Sequence, residues 1–170
     1  IAFVPENRLG HSAVPELTLS ENILISQFPN NNFISKGMIN HRNIDAQAKK
    51  VIDEFNVVTP GIDAKASSLS GGNLQKFVIG REILTNPKLL IISHPTWGID
   101  AGAEYAIRKS LIELAKNGTS IIVISQDLDE LFEISHRMSV IFNGKLSRSY
   151  ETRNISVSEI GLLMGGQGID

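Results

Sequence analysis

The sequence predicts an α/β fold, and three observations predict it. Residues 88–93, Lys-Leu-Leu-Ile-Ile-Ser, contain a continuous apolar run that suits a parallel strand covered on both faces. After position 87 such runs alternate with helical patterns, whereas residues 7–86 read as helices and loops. Asn143-Gly144, between Val140-Ile141-Phe142 and Lys145-Leu146, is a two-residue hairpin signal, because both turn positions favour positive φ.

Taken in order, residues 1–4 read as a strand already under way. Ile1 is neither an initiator methionine nor the start of a signal peptide, so the chain is expected to be a fragment. An irregular polar stretch at Pro29-Asn30-Asn31-Asn32 precedes a helix over 44–55. A second helix starts after Ser70, with Phe77, Val78, Ile79, Ile83 and Leu84 as its apolar face, and Asn86-Pro87 ends it. The strand at 89–93 leads through the loop His94-Pro95-Thr96-Trp97-Gly98-Ile99-Asp100 into a helix over 101–116. A strand over 120–125, a helix over 128–134, a strand over 139–142 with its hairpin, and a short helix over 157–164 complete the chain.

Composition bounds the function. The 170 residues are 42% hydrophobic and 20% charged, enough to bury an ordinary core in one domain. A net charge of −2 with no basic run gives no general attraction to nucleic acid or anionic lipid. No apolar run approaches the roughly 20 residues of a membrane span, so a membrane link is expected through a partner. The absence of cysteine excludes disulfides and thiolate metal sites and agrees with a cytoplasmic location.

The segment Leu69-Ser70-Gly71-Gly72-Asn73-Leu74-Gln75 carries the most chemistry. It places a hydroxyl and two bare glycine backbones at a helix start, where unpaired N–H groups and the positive end of the helix dipole meet solvent. Glycine lets an anion approach that backbone closely, which is a phosphate-binding geometry. An ordinary N-cap is the alternative reading of the same residues.

From Leu69 to Asp100 the order of loop, helix, apolar strand and loop resembles the signature loop, helix, Walker B strand and D-loop of the ATP-binding domain of ABC transporters. The resemblance extends to most of the chain, including residues 1–10 and Thr18-Leu19-Ser20-Glu21-Asn22-Ile23. The opening residues look like the second nucleotide-binding half of the tandem ATPases of bacterial sugar and nucleoside importers. The resemblance implies a partial P-loop NTPase domain over 1–170. Residues 7–86 would be its helical subdomain with the signature loop, and residues 87–170 the C-terminal half of a RecA-like core. It implies ATP as ligand, contacted by Ser70, Gly71, Gly72, Asn73, Gln75, Asp100 and Glu6, with Mg2+ at the partner's site. No Gly-x-x-x-x-Gly-Lys-Ser/Thr loop is present to cradle the phosphates, and in the family that loop precedes this stretch.

Departures from the family pattern shape the expected mechanism. A working site needs an aspartate at the end of the Walker B strand, for magnesium, and a following glutamate to polarise water. Those positions hold Ser93 and His94, and neither supplies a carboxylate. A histidine can act as a base, so His94 is a substitute catalyst on one reading and a tolerated residue in a degenerate site on the other. The switch-histidine position is Gln126, which carries no positive charge. The glutamine-loop position holds Glu6, still able to touch a metal ion. Asp100 is either a D-loop group at the dimer seam or an N-cap for the following helix, and both roles are compatible. Trp97, where the family often has arginine, suits either an exposed interface or a buried loop anchor.

The expectation is therefore an importer ATPase half that donates its signature loop in trans while its own site is degenerate. Its partners would be the first nucleotide-binding domain of the same chain, membrane permease subunits and, indirectly, a solute-binding lipoprotein, with no nucleic acid. It would sit peripherally on the cytoplasmic face of the inner membrane. A non-catalytic scaffold and a soluble ABC-type ATPase acting on ribosomes or DNA are the rival readings.

Overall fold

A computed structural model describes residues 1–28, 33–35 and 37–168, so the polar stretch at Pro29-Asn30-Asn31-Asn32 lies outside the described residues. The chain forms two compact units, Ile1–Ile124 and Ser125–Asp170. This division falls after the third strand of the parallel sheet and cuts across the 87–170 region, because β1 (Ala2–Val4) pairs with β4 (Leu89–Ser93) and so ties residues before 86 to residues after it.

The first unit begins with β1 and continues with α1 (Leu19–Ser26), the small hairpin of β2 (Ile34–Ser35) and β3 (Met38–Ile39), α2 (His41–Glu54) and α3 (Gly71–Ile83). After β4 come α4 (Ala101–Lys116) and β5 (Ser120–Ile124). Each helix of this unit starts on a side-chain cap. Thr18 and Glu21 form a capping box on α1, and Asn40, Ser70 and Asp100 accept from the third helical N–H of α2, α3 and α4. The Asn40 cap starts α2 three residues earlier than the predicted 44–55 helix, since capping outweighs the apolar pattern in setting a helix start.

The sheet is parallel, in the order β1-β4-β5, with Phe3 beside Ile91 and Ile91 beside Ile122. Ala2, Val4, Leu90 and Ile92 are buried on one face, while Phe3, Ile122 and Ile124 on the other are about half exposed. The expectation of a strand covered on both faces is corrected here. Burial alternates along β4, because helix packing among the described residues covers one face only.

A second correction concerns α3. Instead of one apolar face, residues 74–83 are buried on all sides, charged Lys76, Arg81 and Glu82 included. The helix packs against α2, α4 and β1, so every side of it meets protein. Its buried charges survive because they are bonded. Arg81 Nε donates to Glu82 Oε1 at 2.7 Å, Ser26 Oγ donates to the same oxygen at 2.6 Å, and Arg81 Nη2 donates to the Ser12 carbonyl at 2.8 Å. Desolvation pushes the Arg81 pKa down, and Glu82 opposes that shift. Lys76 Nζ donates to the Asn56 carbonyl at 2.8 Å. At Gly80 an added Cβ would overlap the Phe55 ring, so the bare backbone is what lets α2's end lie against α3.

The second unit comprises α5 (Leu128–Ile134), β6 (Arg137–Met138), β7 (Ile141–Phe142), β8 (Lys145–Leu146), β9 (Tyr150–Glu151) and α6 (Val157–Met164). Its core gathers Met138, Val140, Ile155, Ile160 and Leu163, with Leu128, Leu131, Phe132 and Tyr150 against them. The hairpin turns at Asn143 and Gly144, whose φ values are 47° and 77°. The predicted strand at 139–142 is shorter than expected: only Ile141–Phe142 form a strand, β7, which pairs with β8, while β6 ends at Met138 and pairs with β9. Between them Val140 bonds to Ser147 through that residue's hydroxyl as well as its backbone, which replaces one rung of the ladder.

Candidate functional site

The start of α3 is built from the residues upward. Ser70 is extended and non-helical, and its Oγ accepts from the Asn73 N–H at 3.4 Å and from Asn73 Nδ2 at 3.0 Å. A hydroxyl that accepts twice keeps its own proton to donate outward. Ser70 and Gly71 are exposed, the first turn holds no acidic residue, and buried Leu74 and Phe77 anchor the helix one turn further in. That donor set fits an anion: outward N–H groups, a spare hydroxyl proton, no acid in the first turn and no Cβ to keep a ligand at a distance.

The glycines have a second task. A Cβ at Gly72 would lie 3.3 Å from the Gly98 carbonyl oxygen, and one at Gly71 would lie 3.0 Å from Arg8 Nη1. Gly98 itself has φ +69, a left-handed conformation that suits glycine. The start of α3 is thus laid closely against the loop that follows β4.

Gln75 and Asn73 are placed differently from the expectation of ligand contact. Gln75 is 2% exposed, and its Nε2 donates to the carbonyls of His94 at 3.2 Å and Pro95 at 3.1 Å. Its amide holds the β4 loop to α3. Asn73 spends both ends of its amide within the chain, donating to Ser70 and accepting from the Val58 N–H at 3.0 Å. Both residues orient the helix start, Gln75 from the interior and Asn73 from a partly exposed position.

At the end of β4, Ser93 is beside Ile124 of β5, and His94 donates its N–H to the Ile124 carbonyl at 2.8 Å. His94 has φ 48, a left-handed conformation that costs energy in a residue with a Cβ. Its ring meets Trp97 edge-on at 5.4 Å, while Trp97 is 62% exposed, which selects the exposed reading of that residue over the buried anchor. Neither Ser93 nor His94 fits magnesium, a hard cation that prefers anionic oxygen.

Asp100 caps α4, accepting from the Ala103 N–H at 2.9 Å, and that bond holds its carboxyl below the ordinary aspartate value. It is exposed, so the cap leaves it at the surface. Glu6 is exposed just beyond β1. Gln126 belongs to the second unit, exposed and next to Asp127, the N-cap of α5.

The structure therefore brings together Ser70, Gly71, Gly72, Asn73 and Gln75 with the loop that ends in Asp100. It adds Arg8, which sequence reasoning passed over. Its guanidinium donates to the Trp97 carbonyl and lies against Gly71 and Gly98, and partial burial lowers its pKa. The legible signal was indirect: glycines in two separate segments announce a close backbone approach, but not the side chain that closes it.

No family model matches the chain. Curated relatives do. It is 38% identical over 170 residues to the nucleoside import ATP-binding protein NupA of Lactococcus lactis, covering 100% of this chain and 34% of that protein. It is 37% identical over 166 residues to the guanosine import ATP-binding protein NupO of Bacillus subtilis, covering 98% and 32%. It is 40% identical over 160 residues to the galactose/methyl galactoside import ATP-binding protein MglA of Pasteurella multocida, covering 94% and 31%. The chain thus spans about a third of the length of these relatives. Among solved structures, the dimeric ATP-binding cassette MJ0796 bound to ADP and Pi superposes with a TM-score of 0.74 at 21% identity, over 91% of this chain and 63% of that one. An ATP binding subunit of an ABC transporter gives a TM-score of 0.75 at 20% identity, over 96% and 68%. The fold is accordingly that of the ABC ATPase cassette, in part.

Proposed function

We propose that this chain belongs to the ABC transporter ATP-binding protein family and forms part of the second nucleotide-binding domain of a tandem importer ATPase for sugars or nucleosides, a reading supported by its likeness to import ATP-binding proteins. Its task is to donate the signature loop in trans to the ATP site of the first domain, while its own site is degenerate. Its other partners are membrane permease subunits, reached from the cytoplasmic face, and a solute-binding lipoprotein at one remove. Solute choice lies between the nucleosides and sugars for which the relatives are named.

One observation carries the reading: the start of α3 exposes Ser70 and Gly71 with no acid in its first turn, whereas the end of β4 offers Ser93 and His94 in place of carboxylates. ATP bound by the first domain supplies the phosphoryl group whose hydrolysis drives transport. Ser70 would donate its hydroxyl proton to that phosphate, Gly71 and Gly72 would let the phosphate reach the backbone N–H groups, and the helix end would favour its negative charge. Asp100, exposed after its loop, would face the seam between the two domains. A scaffold has no use for such a loop.

The test is ATP hydrolysis by the full-length tandem protein reconstituted with its permease, before and after Ser70→Arg. The bulky cation blocks closure over the partner's phosphates, and turnover is expected to fall about 100-fold, the scale of losing a preorganised donor. Unchanged turnover makes the loop vestigial and the domain a scaffold.

A further inference from the structure

Two fastenings hold the loop after β4 to the start of α3, and they act at opposite ends of it. The inner end is pinned by Gln75, whose amide reaches the carbonyls of His94 and Pro95 at 3.2 and 3.1 Å. The outer end, Trp97 and Gly98, is where the chain takes a left-handed turn before Asp100 begins α4. Arg8 reaches this end from the segment after β1. Its Nη2 donates to the Trp97 carbonyl, and the guanidinium lies 3.5 and 3.7 Å from where a Cβ on Gly98 would stand and 3.0 Å from where one on Gly71 would stand.

We propose that Arg8 is a positioning residue for the signature loop, clasping the start of α3 to the loop before Asp100 so that Ser70, Gly71 and Asp100 present one fixed edge to the partner domain. The inference rests on the trans-donation reading above. Three chain segments far apart in sequence meet at one guanidinium: residue 8, residue 71 and residues 97–98. A planar fork can donate to the carbonyl with one arm while its other arm lies against the bare Gly71 backbone. The glycines are what make room for it. Lysine, a point charge on a flexible stem, keeps the cation but cannot span both segments.

The contrast between arginine and lysine makes the clasp testable apart from charge. In the full-length tandem protein reconstituted with its permease, Arg8→Lys and Arg8→Gln are each expected to lower kcat about tenfold, the scale of a modest misplacement of a reacting edge. The KM for ATP, which the partner's phosphate loop sets, should stay within about twofold. Amide hydrogen exchange at residues 71–73 and 97–100 should quicken about tenfold, with the rest of the chain unchanged. Retention of wild-type kcat by Arg8→Lys would overturn the proposal, because the positive charge alone would then suffice. Exchange rising evenly along the chain with a fall in Tm would overturn it too, reducing Arg8 to general stability. Ser70→Arg, assayed beside them, separates the two levels. If it abolishes turnover while both Arg8 variants turn over normally, only the clasp fails; if it is silent, the trans-donation reading fails and the clasp with it.

Discussion

The start of α3 and the end of β4 lie side by side, joined by Gln75 and by the approach of Gly72 to the Gly98 carbonyl, yet they are equipped in opposite ways. The helix start offers backbone N–H groups, a spare hydroxyl proton and no acidic residue. The strand end offers a serine and a left-handed histidine, with no carboxylate before Asp100. On the function proposed above, one edge meets a phosphate held by another domain, while its neighbour offers no carboxylate for a cation. Chemistry supplied by the backbone and by helix geometry is robust to side-chain change; chemistry supplied by two particular carboxylates is not.

The largest expected effect breaks the first of these edges from inside. Phe77 is fully buried in α3 one turn beyond the glycines, so Phe77→Ala should cost about 3–5 kcal/mol in denaturant unfolding, through lost burial and the cavity left behind. Ser70→Arg comes next. Its hundredfold loss of turnover corresponds to about 2.7 kcal/mol at the transition state, and it should leave Tm within a few degrees because Ser70 is exposed. A smaller effect sharpens the second edge: His94→Ala and Ser93→Ala should each keep turnover within about twofold, since a general base would be worth about 100-fold or more. A hundredfold fall in His94→Ala would make His94 a working base and end the contrast.

The smallest effect is one of pH. Glu21, Asp100 and Glu159 are exposed carboxylates whose pKa values are lowered, Asp100 mainly by the Ala103 N–H, Glu21 mainly by the Thr18 N–H and Glu159 mainly by the Ser156 hydroxyl. A lowered folded pKa favours the ionised, folded state. These bonds therefore contribute fully above the unfolded values of about 4 and are lost as pH falls through the lower folded values. Thermal unfolding should show Tm level above pH 5 and declining below pH 4, and Asp100→Asn should flatten part of that decline.

Much of this architecture was legible in the residues themselves. The strand at 89–93, the helices at 101–116, 128–134 and 157–164 and the Asn143-Gly144 turn are local matters of apolar period, capping and positive φ, and all five formed as read. The Ser70 cap at the start of α3 was legible for the same reason, because an N-cap serine followed by two glycines acts within one turn of helix. Tertiary structure alone decided what surrounds these elements. It buried α3 on every side, left one sheet face half exposed, confined the strand predicted at 139–142 to residues 141–142 and turned Gln75 inward to hold the His94 and Pro95 carbonyls. It also brought Arg8 to residues 71 and 97–98. Such contacts join positions separated by up to 89 residues, and no local pattern encodes them, because they arise only when the strands and helices have found their partners and closed the distance between loops.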